Sequence, residues 1–133
     1  MGGNPGGNSE NVAFGGGGGG ASESGEAGSN ASGGLGGAGL CFDTDIVGGD
    51  FGQPPGCFAG GGHANNCMTA QGAVGGGGPC RDTEVPLPSI AFGVPNTGGG
   101  GGADGASTDD VEAEVANGGS GIIIVAFNAC NCP

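Results

Sequence analysis

Apolar residues fall along this chain in short, separated pieces: Val12 to Phe14, Leu35, Leu40 with Phe42, Ile46 with Val47, Phe51, Phe58, Val85 to Leu87 and Ile90 to Val94. Between them lie glycine runs and turn-forming stretches of Asn, Asp, Ser and Pro. The pieces read as small plugs at the ends or rims of a scaffold that is not made of side chains. One segment differs. Residues 121–127 place Ile122, Ile123, Ile124 and Val125 in succession and then Phe127. Consecutive β-branched residues favour the extended state, and the lack of alternation predicts a strand covered on both faces. In a chain with so little core, that cover is expected to come from another subunit. Residues 110–116 are expected to make one or two helical turns.

The scaffold itself is glycine, which supplies 39 of 133 residues against ~7% in an average protein. The runs lie at 15–20, 33–39, 48–49, 60–62, 75–78, 98–102 and 118–121, an irregular repeat. A helix is disfavoured, since each glycine costs ~1 kcal/mol relative to alanine. A strand of glycine has no side chains to pack. The remaining regular option is a left-handed threefold helix of the polyproline II type, rising ~3.1 Å per residue with no internal hydrogen bonds. Its N–H and C=O groups point outward, so neighbouring passes bond to one another, and the absence of Cβ lets them approach closely. The competing expectation is a disordered linker, because ordering glycine is entropically expensive. Cysteines, the stiffening Pro54, Pro55, Pro86, Pro88 and Pro95, and the apolar strand argue against it. The expected fold is therefore irregular to all-β-like: a bundle of polyglycine II helices with short β-strands, no substantial α-helix, stapled by disulfides. It forms one domain over 1–133, with an N-terminal apolar-ended arm (1–14), the bundle with its loops (15–121), and a C-terminal strand and Cys-x-Cys tail (122–133).

Composition excludes several classes. Collagen needs a strict third-residue glycine period, which is missing here. A membrane-spanning helix needs roughly 20 apolar residues. The formal net charge is −12, and Arg81 is the only Lys or Arg, so nucleic acid and anionic membrane surfaces would be repelled. Cys41, Cys57, Cys67, Cys80, Cys130 and Cys132 form an even set in a core-poor chain. That pattern predicts three disulfides in an oxidising compartment. A Cys130–Cys132 bridge would be strained; the other pairings stay open. Zinc is the competing use, but no paired C-x-x-C exists and His63 is the only histidine. Met1 to Pro5 carry neither the basic region nor the apolar run of a secretory signal. Disulfides without a leader fit a mature chain, a part of a larger protein, or a virion protein released by lysis.

Candidate chemistry is sparse. His63 lies four residues before Cys67, a spacing to consider for a nucleophile–histidine pair. The simpler reading is a loop histidine beside bonded cysteines, and acid–base catalysis has almost no other material. Asp43, Asp45 and Asp50 offer oxygen ligands to calcium without the spacing of a known loop. A solvated acidic surface explains them equally, as it does the cluster from Asp109 to Glu114. A phosphate-cradling loop would need a lysine. Asn30-Ala31-Ser32 is a glycosylation sequon. No cofactor is expected.

The order of the pieces is familiar. Val12-Ala13-Phe14-Gly15 enters the first long run, Gly36-Gly37-Ala38-Gly39-Leu40 follows, then Asn96-Thr97-Gly98, and a closing Gly-Gly-Ser-Gly-Ile-Ile-Ile-Val at 118–125. From about residue 12 to 127 the chain resembles the glycine-rich domains of bacteriophage tail-fibre and adhesin proteins and related environmental sequences. The resemblance implies a polyglycine II bundle carrying surface loops, in a non-enzymatic adhesive or structural protein. Six cysteines and the tail after the strand set this chain apart. With Met1 read as its start, they favour a small self-assembling subunit. The leading expectation is a structural subunit of an extracellular or virion fibre, partnered by itself through 122–127. The alternative is a phage tail adhesin that binds a cell-surface receptor through its loops, with Phe51, Phe58 and residues 81–95 as contacts. An ice-binding protein is a third reading, weakened by the irregular repeat.

Overall fold

The structure, a computed structural model, describes residues 3–9, 14–47, 49–64, 72–80, 92–103 and 116–125. Regular secondary structure among them is slight: β1 (Leu40–Cys41), α1 (Thr44–Val47) and β2 (Cys57–Phe58). β1 and β2 pair antiparallel, with Leu40 opposite Phe58 and Cys41 opposite Cys57. The rest of the described chain is irregular by helix and sheet criteria, as the glycine runs predict.

Those irregular passes are nevertheless bonded in a regular way. Phe14, Gly17 and Gly20 donate N–H to the carbonyls of Ser29, Glu26 and Glu23 at 3.2, 2.9 and 2.8 Å. Glu23, Glu26 and Ser29 donate in turn to Ala38, Leu35 and Ser32. Gly34 and Gly37 donate to Gly15 and Gly18, running parallel. Gly60 and His63 donate to Gly75 and Gly78, while Gly100 and Ala103 donate to Gly60 and His63. In each case both partners step by three residues. A β-ladder alternates with a period of two, and an α-helix bonds within itself. A three-residue step between separate passes is neither.

Close approach explains the glycines. A Cβ on Gly17 would sit on the carbonyl of Leu35, one on Gly20 on that of Ala38, and one on Gly37 on that of Glu23. The vacated direction carries a Cα–H pointed at a neighbour's oxygen, a weak attraction that recurs wherever passes touch. No glycine of 15–20 or 33–39 takes positive φ, so these positions use the missing side chain rather than the backbone freedom of glycine. The interior is correspondingly made of main chain. Among the described residues no large side chain is fully buried, and the buried apolar residues are Val47, Cys57, Ala64, Ala73 and Cys80.

Several expectations change. Residues 4–8, read as part of an arm, form a further pass: Asn4 and Gly7 donate to Gly20 and Gly17, and Pro5 and Asn8 accept from Gly25 and Gly28. Residues 121–125 pair with no described strand. In the preceding pass Ser120 accepts from Gly98. α1 was not anticipated. Asp43 starts it: its Oδ1 accepts the Asp45 N–H at 3.0 Å, as an N-cap does. The turn expected at 110–116 lies outside the described residues apart from Ala116, as do Cys67, Phe127, Cys130 and Cys132. Of the expected staples, Cys41–Cys57 is present, and Cys80 is disulfide-bonded as well.

Candidate functional site

One end of the molecule concentrates the apolar side chains that glycine leaves without a core. The loop from β1 to β2 is closed by Cys41–Cys57, whose Cα atoms are 4.0 Å apart. Gly52 and Gly56, at φ 96° and 85°, make the tight return that L side chains avoid; Gln53–Pro54 between them is cis. Gly56 accepts from the Phe42 N–H at 2.9 Å. This holds the Phe42 and Phe58 rings at a centroid distance of 6.5 Å, tilted by 46°. α1 then presents Ile46 outward while Val47 is buried.

Opposite this loop runs the end of the last pass. Thr97 is 3% exposed. Its Oγ1 donates to the Val94 carbonyl at 2.7 Å and accepts from the Gly99 N–H at 3.1 Å. Its carbonyl accepts from Ala59. Ser120 ties the last pass to this turn, since its Oγ accepts from the Asn96 N–H at 2.9 Å and its carbonyl from Gly98 at 2.8 Å. Residues 121–125 are thereby laid along the loop. Between them opens a groove of about 480 Å³ lined chiefly by Phe42, Ile46, Val47, Phe58, Ile122 and Ile124. None of its lining residues is charged. Phe42, Ile46, Ile123, Ile124 and Val125 all remain exposed, Ile123 by 90%.

A second groove, about 380 Å³, is lined almost wholly by main chain of 15–19, 62–64 and 100–103. His63 borders it, 5% exposed, with Nδ1 accepting the Gly36 N–H at 2.8 Å. That bond places the ring proton on Nε2 and gives the histidine a structural task. Its sequence neighbour Cys67 lies outside the described residues.

The other candidates scatter. Asp43, Asp45 and Asp50 are exposed, and one oxygen of Asp43 is taken by the helix cap. Among the described residues, no group of three or more His, Cys, Asp or Glu side chains converges to hold a metal ion. No described helix is long and apolar enough to cross a membrane. Asn30 sits exposed beside a turn in which Ser29 Oγ accepts from the Ala31 and Ser32 N–H groups at 3.1 and 2.9 Å. Of the expected loop contacts, Phe58 lines the groove and Phe51 stands outside it, half exposed. Sequence reading singles out the Asn96-Thr97-Gly98 step without a role for Thr97; a threonine at the turn before a glycine run is the available signal.

In comparison with known proteins, the family model described as a glycine-rich domain matches residues 1–128. No curated protein matches, and no solved structure does.

Proposed function

The chain belongs to the glycine-rich domain family, and from that membership and its bonding pattern we propose a non-enzymatic structural protein, a self-assembling subunit of an extracellular or virion fibre. Its passes are polyglycine II helices. One observation carries this reading: hydrogen bonds between separate passes repeat every third residue, in parallel and antiparallel pairs alike. A threefold backbone presents its N–H groups in three directions, so residues three apart meet the same neighbour. Such a lattice has stiffness and no need of a side-chain core, which suits a scaffold.

Assembly follows from what the scaffold leaves bare. Ile123, Ile124 and Val125 are exposed at 90, 40 and 64%, in a chain of formal net charge −12. Burial of such surface is worth ~25 cal/mol per Å², and a second subunit provides it. Electron microscopy and analytical ultracentrifugation of the purified chain test the proposal. Ordered assemblies of a chain whose circular dichroism lacks α-helical and β-sheet character are expected. A monomer at every concentration overturns the subunit role. The adhesin reading retains one favouring observation, the exposed Phe51 on the stapled loop. A monomer that still bound intact cells would bring it forward.

A further inference from the structure

We propose that two copies close on the apolar end as a twofold pair, each placing Ile123 and Val125 in the other's groove between Phe42 and Ile46. The inference rests on the reading above that the chain assembles through residues 122–125, and it names the surface that receives them.

Residues 121–125 have two sides. Ile122 and Ile124 line the chain's own groove, while Ile123 and Val125 stand off it, 90 and 64% exposed. The far wall of the groove stays equally open, with Phe42 at 48% and Ile46 at 63%. Projection and recess thus lie side by side on one face. A surface carrying both meets its own copy reciprocally, and such a contact is isologous and closes.

The area fits a second copy. Phe42, Ile46, Ile123, Ile124 and Val125 are each at least two-fifths exposed; at ~150–200 Å² for a fully open large side chain they present roughly 450–600 Å² of apolar surface. A stable pair buries about 800 Å² per partner, of which somewhat over half is apolar. The patch supplies that apolar share without help from the rest of the surface. It also reaches the upper range for the largest patch of a typical monomer.

Charge sets the dependence on salt. Each copy carries −12, and exposed Asp43 and Asp45 flank the uncharged groove. Two copies repel at long range and attract at contact, so salt strengthens the pair by screening. A cationic amphipathic partner in the same groove would show the opposite sign. A closed pair also means that a fibre grows through another surface, with the dimer as its unit.

Sedimentation equilibrium of the full chain in 20 and 500 mM NaCl, with Ile123→Asp, Ile46→Lys and the double variant, tests the inference. Ile123 and Ile46 are mostly exposed in the single chain, and a wild-type-like circular dichroism spectrum with a cooperative melt, recorded at concentrations where the wild type is monomeric, confirms that each variant folds. The wild type is expected to show a monomer–dimer step that tightens severalfold in high salt, with any larger assembly built from the dimer. Each single substitution buries an unpaired charge and is expected to weaken the pair at least about 100-fold. The double variant is expected to recover most of that loss by pairing Lys with Asp across the contact. A wild-type monomer at all concentrations, or a dimer indifferent to Ile123→Asp, defeats the assembly reading itself. A pair lost in Ile123→Asp but untouched by Ile46→Lys leaves the joint standing and overturns the groove. So do a double variant no better than the singles and a pair that weakens with salt.

Discussion

Replacing Gly17 by alanine and Gly15 by alanine should shift stability in opposite directions, although the two lie in one run. A Cβ on Gly17 would fall on the carbonyl of Leu35 and 2.7 Å from the nitrogen of Gly36. No rotamer relieves a methyl group, so the pass at 33–39 must move away. Three of the bonds that hold it there lie nearest the contact: Glu26 to Leu35 at 2.8 Å, Gly34 to Gly15 at 3.0 Å and Gly37 to Gly18 at 2.8 Å. At about 1 kcal/mol net for each, separation costs about 3 kcal/mol. Alanine returns ~0.4–1 kcal/mol by narrowing the unfolded ensemble, leaving a loss of ~2–3 kcal/mol. At Gly15 the nearest atom to a new Cβ is the Ala64 Cβ at 3.9 Å, an ordinary contact. Only the unfolded-state gain of ~0.4–1 kcal/mol remains there. The chain has no Trp or Tyr, so scanning calorimetry is the suitable assay. At about 4 °C per kcal/mol for a chain of this size, Gly17→Ala should melt roughly 10 °C lower and Gly15→Ala 2–4 °C higher. Equal shifts of the two would refute the close apposition of passes on which the fold depends.

Two further outcomes follow from the same contacts. Cys41→Ser with Cys57→Ser opens a bridge between residues 16 apart in sequence; the expected loss is ~3 kcal/mol, read as a lower melting temperature without free thiol at either position. His63→Ala removes the acceptor from the Gly36 N–H and leaves that donor inside the array, for a loss of ~1–3 kcal/mol that urea titration would measure by calorimetry or chemical shift.

The sequence made much of the scaffold legible and little of its detail. Glycine runs with no side chains to pack pointed away from helix and sheet, and the described chain has two short strands and a single helical turn. The apolar pieces at Leu40, Phe42, Ile46 and Phe58 read as plugs at a rim, and they gather at one end. The helix at 44–47 was hidden because Asp43 and Asp45 also read as ligand oxygens, and a cap is recognised only once the backbone turns. Residues 4–8 were hidden because two asparagines, one proline and a single pair of glycines do not advertise a pass. The strand expected at 121–127 rested on β-branched propensity, which acts only when a partner edge is present. Residues 121–125 have none within the described chain.

What the runs encode is a phase, and this accounts for sequence that composition alone leaves arbitrary. In the pass at 23–29, glycine falls at 25 and 28, where a Cβ would strike the carbonyls of Gly17 and Phe14. The residues between, Glu23, Ser24, Glu26 and Ala27, are exposed. In the pass at 33–39 two phases are glycine, and Gly34, Gly36, Gly37 and Gly39 would all clash. Its side chains, Leu35 and Ala38, sit three apart on the remaining phase. In the pass at 15–20 every residue is glycine, and a Cβ at 16, 17, 19 or 20 would meet a neighbour's main chain. On the proposed threefold reading, glycine density along a pass reports how many of its three directions are closed by other passes. A side chain every third residue marks one open direction, and two of every three mark an outer edge. A glutamate three residues from another glutamate is then placed by the same geometry as the glycines around it. The acidic side chains of that pass stand at its exposed positions, while its glycines meet the carbonyls of the pass beneath.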